Sequence, residues 1–242
     1  MKLIVFLSAA ILLSCAQNSH AFNVKDLLNK ADSLTQKKGN TANEQTKVSG
    51  LKEALSIGTE NAVKQVSRVD GYFGNQLIKI PIPDETKRVM ATLSRMGFKQ
   101  QVDEFVLTMN RGAEKAAPQA VSIFVTAIKA MTIEDAGRIL LGNETAATEY
   151  FKKKTNDEIY KAFKPAITAS LDSVGATRAY KSLMDKTKSV RLLKQTNVDL
   201  DHYVTNKAID GLFLMVGQEE KKIRRDPAAR TTELLRAVFG GK

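Results

Sequence analysis

The sequence predicts an all-α protein, a single irregular multi-helix bundle of roughly eight or nine helices with one short extended connector near residues 77–83. Three observations lead there. Apolar residues recur at helical spacing along almost the whole chain. Helix-starting and helix-stopping residues punctuate that pattern. Glycine and proline number 14 and 5 in 242 residues, few for an all-β protein with many turns. With 43% hydrophobic residues the chain can fill a core, and with one cysteine it must rely on packing rather than disulfides.

Residues 1–21 stand apart as an export signal. Lys2 is followed by an apolar run from Leu3 to Leu13, the length of a signal-peptide core. The run falls short of the roughly 20 apolar residues that span a bilayer, and no later charge-free segment reaches that length. A buried N-terminal core helix is the competing reading, against which the polar stretch 17–20 speaks. Two cleavage chemistries fit. Leu12-Leu13-Ser14-Cys15 resembles a lipobox, with Cys15 lipidated as the new N-terminus. Ser19-His20-Ala21 suits ordinary signal peptidase, cutting after Ala21. The lone cysteine has no internal partner, and lipidation gives it a purpose. The first cut places the protein on the periplasmic face of the outer membrane, because Ala16 rather than Asp follows the cysteine. The second releases it into the periplasm.

Residues 22–49 are expected to form a short helix, marked by Val24, Leu27, Leu28, Ala31 and Leu34, and then a polar, flexible tether over 36–50. The helical domain follows, residues 50–242. Ser49 reads as an N-cap, and Leu51, Leu55, Ala62 and Val66 share one stripe. Gly71 and Gly74 break that helix, and Asp70, Gly71 and Tyr72 read as a turn. Pro81 and Pro83 favour extended geometry in Leu77–Pro83.

Pro83-Asp84-Glu85 opens a helix with Val89, Met90, Leu93 and Met96 inside, ended by Gly97. Val102, Phe105, Val106 and Met109 mark the next. Pro118 starts another, whose apolar residues wrap most of the way round and so suggest the centre of the bundle. Thr132–Asp135 is a capping box, and Thr155–Glu158 reads as a second one opening a helix kinked at Pro165. A long helix is expected from Asp199 to Arg225, and Asp226-Pro227 caps a last one.

Several of these blocks together resemble a known family. They are Gly71–Pro83, Val102–Ala120, Met131–Thr155, Tyr203–Phe213 and Asp226–Gly240. In that order they are similar to the bacterial family catalogued as domain of unknown function 4197, whose members are exported and often carry lipoprotein-type signals. The resemblance covers about residues 50–240. It implies export and one helical domain, and it carries over no activity and no catalytic residue.

The residue inventory narrows the chemistry. Beyond the signal the chain has one histidine, His202, and no cysteine, so paired-histidine or cysteine metal sites are excluded and no metal or cofactor is expected. A Ser-His-Asp triad would have to use His202, whose sequence neighbours do not face it on a helix. No catalytic residue is assigned, and there is no phosphate-binding or dinucleotide glycine motif. Glu219 and Glu220 diverge by about 100° on a helix and do not make an acid/base pair. The best polar constellation is Asn110, Arg111 and Glu114 on one helix. These residues could orient a polar ligand head in a helix-lined pocket, or bridge neighbouring helices as a packing network.

Charge is uneven. Residues 22–150 hold 17 Lys+Arg and 15 Asp+Glu, a net of +2, whereas residues 151–242 hold 19 and 11, a net of +8. The basic clusters are Lys152, Lys153 and Lys154; Lys186, Lys188 and Arg191; and Lys221, Lys222, Arg224 and Arg225. In an exported protein such cations would meet anionic lipid, lipopolysaccharide or peptidoglycan rather than nucleic acid; a set of solvated helix faces explains them equally. The functional expectation is a non-enzymatic envelope module that binds an apolar or anionic component or a protein partner. Its rival is an enzyme with a carboxylate/Arg site in a helix-lined cleft.

Overall fold

A computed structural model describes residues 24–173 and 198–229, with isolated positions among 178–185 and residue 236; side chains are described from residue 44 onward. The chain divides into two compact units, residues 1–42 and 43–242. Of the first, the helical backbone from Val24 is described. Cys15, Lys186, Lys188 and Arg191 lie outside the described residues.

Helix α1 is Val24–Ser67. The 36–50 segment, whose composition suggested a tether, carries helical backbone within it. Its lysines, glutamate, glutamines and alanine tolerate a helix, and each glycine costs only about 1 kcal/mol against alanine. In the second unit Leu51, Leu55, Ala62 and Val66 are buried, as their spacing requires. A loop over 68–83 follows without a strand, with Asp70 at φ 62. Turns continue through residues 76–78, where the Ile78 and Lys79 N–H groups donate to the Asn75 carbonyl, so of the connector expected at 77–83 only residues 79–83 are free of turns.

A 3-10 turn at Asp84–Thr86 leads into α2, Lys87–Leu93. Gly97, at φ 95, turns the chain into α3, Lys99–Ala116. Val89, Met90 and Leu93 are buried as expected, but Met96 is 53% exposed because it sits on that turn. Pro118 occupies a 3-10 turn that passes directly into α4, Ala120–Ala130. Then come α5 (Ile133–Leu141), α6 (Ala146–Ser173) and α7 (Leu200–Arg225). Counting α3 and α4 as one continuous run gives six helices among the described residues, not eight or nine. The difference arises because α1 runs unbroken through Ser49, which therefore caps no separate helix, because Pro118 tightens a helix rather than starting one, and because the last helix expected after Asp226 lies largely outside the described residues. The box read at Thr155 opens nothing either. Thr155 lies buried inside α6 and donates its hydroxyl to the Phe151 carbonyl. The capping box at Thr132 and Asp135 is present, with both reciprocal bonds.

The centre of the unit is α7, not α4. Along α7, Val204, Ala208, Ile209, Leu212, Phe213 and Val216 are buried around most of its circumference. In α4 the buried positions are Ala120, Phe124 and Ile128, one narrow face. Ser122, Thr126 and Lys129 recur at helical spacing on the opposite side and are exposed, which outweighs the apolar composition of the segment. α6 packs along α7 and also against α3, α4 and α5. Gly217 lets Thr148 of α6 approach α7, and Gly58 of α1 faces Ile223.

Candidate functional site

The three residues singled out on α3 do converge, and they converge on the 68–83 loop. Asn110 is fully buried. Its Oδ1 accepts the Ile80 N–H at 2.8 Å, and its Nδ2 donates to the Ile80 carbonyl at 2.9 Å. The same Nδ2 lies 2.8 Å from the Val106 carbonyl. One side-chain amide therefore satisfies both backbone groups of a buried loop residue, which would otherwise be costly.

Glu114, one turn further on, is also buried. Its Oε1 accepts the N–H groups of Tyr72 and Phe73, at 3.1 and 3.2 Å. Its Oε2 accepts from Arg111 at 2.6 Å, and the other Arg111 nitrogen reaches Asp70 Oδ1 at 2.7 Å. The hydrogen bond to Glu114 raises the Arg111 pKa further and fixes its positive charge between two carboxylates. Asp70 is the residue at positive φ, and the next residue is confined too: a Cβ on Gly71 would lie 2.4 Å from the Val66 carbonyl oxygen.

From that turn Tyr72 plunges into the core. It is fully buried and donates its hydroxyl to the Ala208 carbonyl at 2.6 Å. Burial, with Glu114 nearby, pushes its phenol pKa far up. Gly211 makes room for the ring, since a Cβ there would come within 2.7 Å of Tyr72 Cε1. The network thus ties α3, the loop and α7 into one unit. Asp70, Tyr72, Phe73 and Ile80 are the partners that sequence reasoning missed; the Asp-Gly pair was their one local signal, read as a turn and no more.

A second buried ion pair lies at the far end of α7. Glu220 accepts the Ala147 and Thr148 N–H groups at 3.0 and 2.9 Å and the Thr148 hydroxyl at 2.8 Å, capping the start of α6. Arg224 donates to Glu220 through Nε and a terminal nitrogen, and to the Ile139 carbonyl at 2.8 Å. Its side chain is 12% exposed, so Arg224 is a buried joint between α5, α6 and α7 rather than a surface cation. Arg225 pairs with Glu144, and that hydrogen bond holds the Glu144 carboxyl below its usual pKa. Buried Glu219 accepts from Gln65 of α1 at 2.8 Å.

The remaining described cations of the basic clusters, Lys152, Lys153, Lys154, Lys221 and Lys222, are exposed. On α6 they are interleaved with Glu149, Asp157 and Glu158 at helical spacing, which dilutes the positive field. Beside α7 a broad open groove of about 420 Å³ runs past His202 and Lys207. There the His202 ring bonds Tyr160 through Nδ1 at 2.8 Å and Asn206 through Nε2 at 2.9 Å. Where α1, α6 and α7 meet, an apolar cavity lined by Leu51, Phe151 and Val216 has room for about 20 Å³, one water's worth. Among the described residues no group of three or more His, Cys, Asp or Glu could hold a metal ion, and no single helix is long and apolar enough to cross a membrane.

Fold and network together define an all-α bundle whose buried polar chemistry fastens a surface loop and the helix ends. Residues 41–240 match the model of the protein family of unknown function DUF4197, and the chain belongs to that family. No curated protein and no solved structure matches the chain.

Proposed function

We propose that this is an exported cell-envelope protein acting as a non-enzymatic binding or interaction module for an apolar or anionic envelope component or a protein partner. Cys15 serves as its lipid anchor on the periplasmic face of the outer membrane. The observation that carries the reading is how the Asp70–Arg111–Glu114 chain is used. Both Glu114 oxygens and both terminal Arg111 nitrogens are engaged in hydrogen bonds that hold the loop, the assignment expected of a scaffold that presents a surface. Support also comes from the lipobox-like Leu12–Cys15 and from the exposed lysines of α6 and α7.

The test is the intact mass and N-terminal peptide of the mature protein from a bacterial membrane fraction. The expected product begins at an acylated, diacylglycerol-modified Cys15, and Cys15→Ser moves the protein to the soluble fraction. An unmodified N-terminus at Phe22 rejects the anchor and leaves a free periplasmic protein.

A further inference from the structure

We infer that the loop of residues 68–79 is a docking edge for the anionic surface of a lipid bilayer; this rests on the envelope reading above and specifies its face and partner. The loop is fixed from beneath. Tyr72 is buried against α7, Ile78 packs against Gly211, and Glu114 holds two successive backbone N–H groups. Its outward residues are consequently displayed by a rigid support. Among them Val69 is 74% and Leu77 66% exposed. On α7, Leu214, three residues after Gly211, is 42% exposed.

Charge decides the partner. Asp70 is the one acid in the loop, and Arg111 neutralises it. Arg68 is exposed, and no carboxylate among the described residues pairs with it or with Lys79. The Lys79 ammonium sits 4.0 Å above the half-buried Phe73 ring, which steers its charge along the loop surface. Aliphatic side chains flanked by unneutralised cations match a bilayer surface, where apolar groups enter the acyl boundary and cations meet lipid phosphates.

The experiment uses the full chain carrying Cys15→Ser, which removes the acyl acceptor, and vesicles with or without phosphatidylglycerol. The chain has no tryptophan, so Leu77→Trp provides a single reporter, with Leu141→Trp as an exposed control on α5. Leu77→Trp emission should shift to the blue with phosphatidylglycerol vesicles and not with phosphatidylcholine alone, whereas Leu141→Trp should not shift. Val69→Ser with Leu77→Ser should weaken sedimentation with anionic vesicles about tenfold, and added salt should weaken it further. If the chain binds anionic vesicles while the double variant binds equally well and Leu77→Trp is silent, the loop is overturned and the envelope reading stands. If the chain binds no vesicle, the inference is overturned, and the Cys15 mass alone decides the broader reading.

Discussion

Glu114→Ala would strand the Tyr72 and Phe73 N–H groups and leave Arg111 with Asp70 alone. Removing one member of a buried ion network typically costs about 3 kcal/mol, because the remaining partners keep their desolvation penalty. The midpoint of urea unfolding should fall accordingly. Val69 and Leu77 should grow more mobile, since their support is the bond array on Glu114. Charge removal at Lys153, exposed and flanked by Glu149 and Asp157, should leave that midpoint unchanged within about 0.5 kcal/mol. Such contrasts separate residues that build the molecule from residues that face its surroundings. Much of this was legible in the sequence. Asn110, Arg111 and Glu114 could be read as one cluster from their spacing. Their partners could not, because Tyr72 and Glu114 are 42 positions apart and helical periodicity is silent about backbone donors in a loop.

At the scale of the helix, glycines discriminate between packing and propensity. In α7 a methyl on Gly211 would come within 2.7 Å of the Tyr72 ring and 3.1 Å of Ile78 Cβ. Gly211→Ala should therefore destabilise by about 1–3 kcal/mol, although alanine is the better helix former. On α5, Gly137 has nothing within 4 Å of its would-be Cβ. Gly137→Ala should stabilise by about 0.5–1 kcal/mol, and thermal unfolding of the two variants should move in opposite directions. The extent of α7 was foreseen from its cap and its apolar spacing: Asp199 accepts from the His202 N–H, and the helix ends at Arg225. The role of α4 was not. Its apolar count pointed to the centre, whereas Ser122, Thr126 and Lys129 at regular spacing set its outer face. Arg224 was misread for a related reason. A run of cations at a helix end looks like surface, and nothing local reveals that the starts of other helices bring Ala147 and Thr148 to Glu220 beside it.

For the whole molecule, fully buried Tyr72 and half-buried Tyr203 bear on stability at alkaline pH. Burial pushes the Tyr203 phenol up to about 12, with Asp84 and Glu85 adding to the rise, and Tyr72 moves in the same direction. The unfolded chain ionises its tyrosines near pH 10, so above that pH it loses protons that the folded chain retains. The stabilisation is fully present below about pH 10 and is lost as pH rises toward the folded pKa. Phenolate absorbance should therefore show a late fraction that appears together with loss of helical circular dichroism. Tyr203→Phe should make that fraction smaller. If every tyrosine ionised near pH 10 with the helices intact, the packing described around Tyr72 would be wrong.

The amide of Asn110 has a wider consequence. By occupying both the N–H and the carbonyl of Ile80, it acts as a one-residue surrogate for a neighbouring strand. The connector around Ile80 is apolar, and a residue that precedes proline favours extended geometry; segments of this type recruit another chain into a growing sheet when their hydrogen-bonding side is open. An internal plug of this kind, followed by Pro81 and Pro83, which have no N–H to offer, keeps an otherwise templating stretch monogamous.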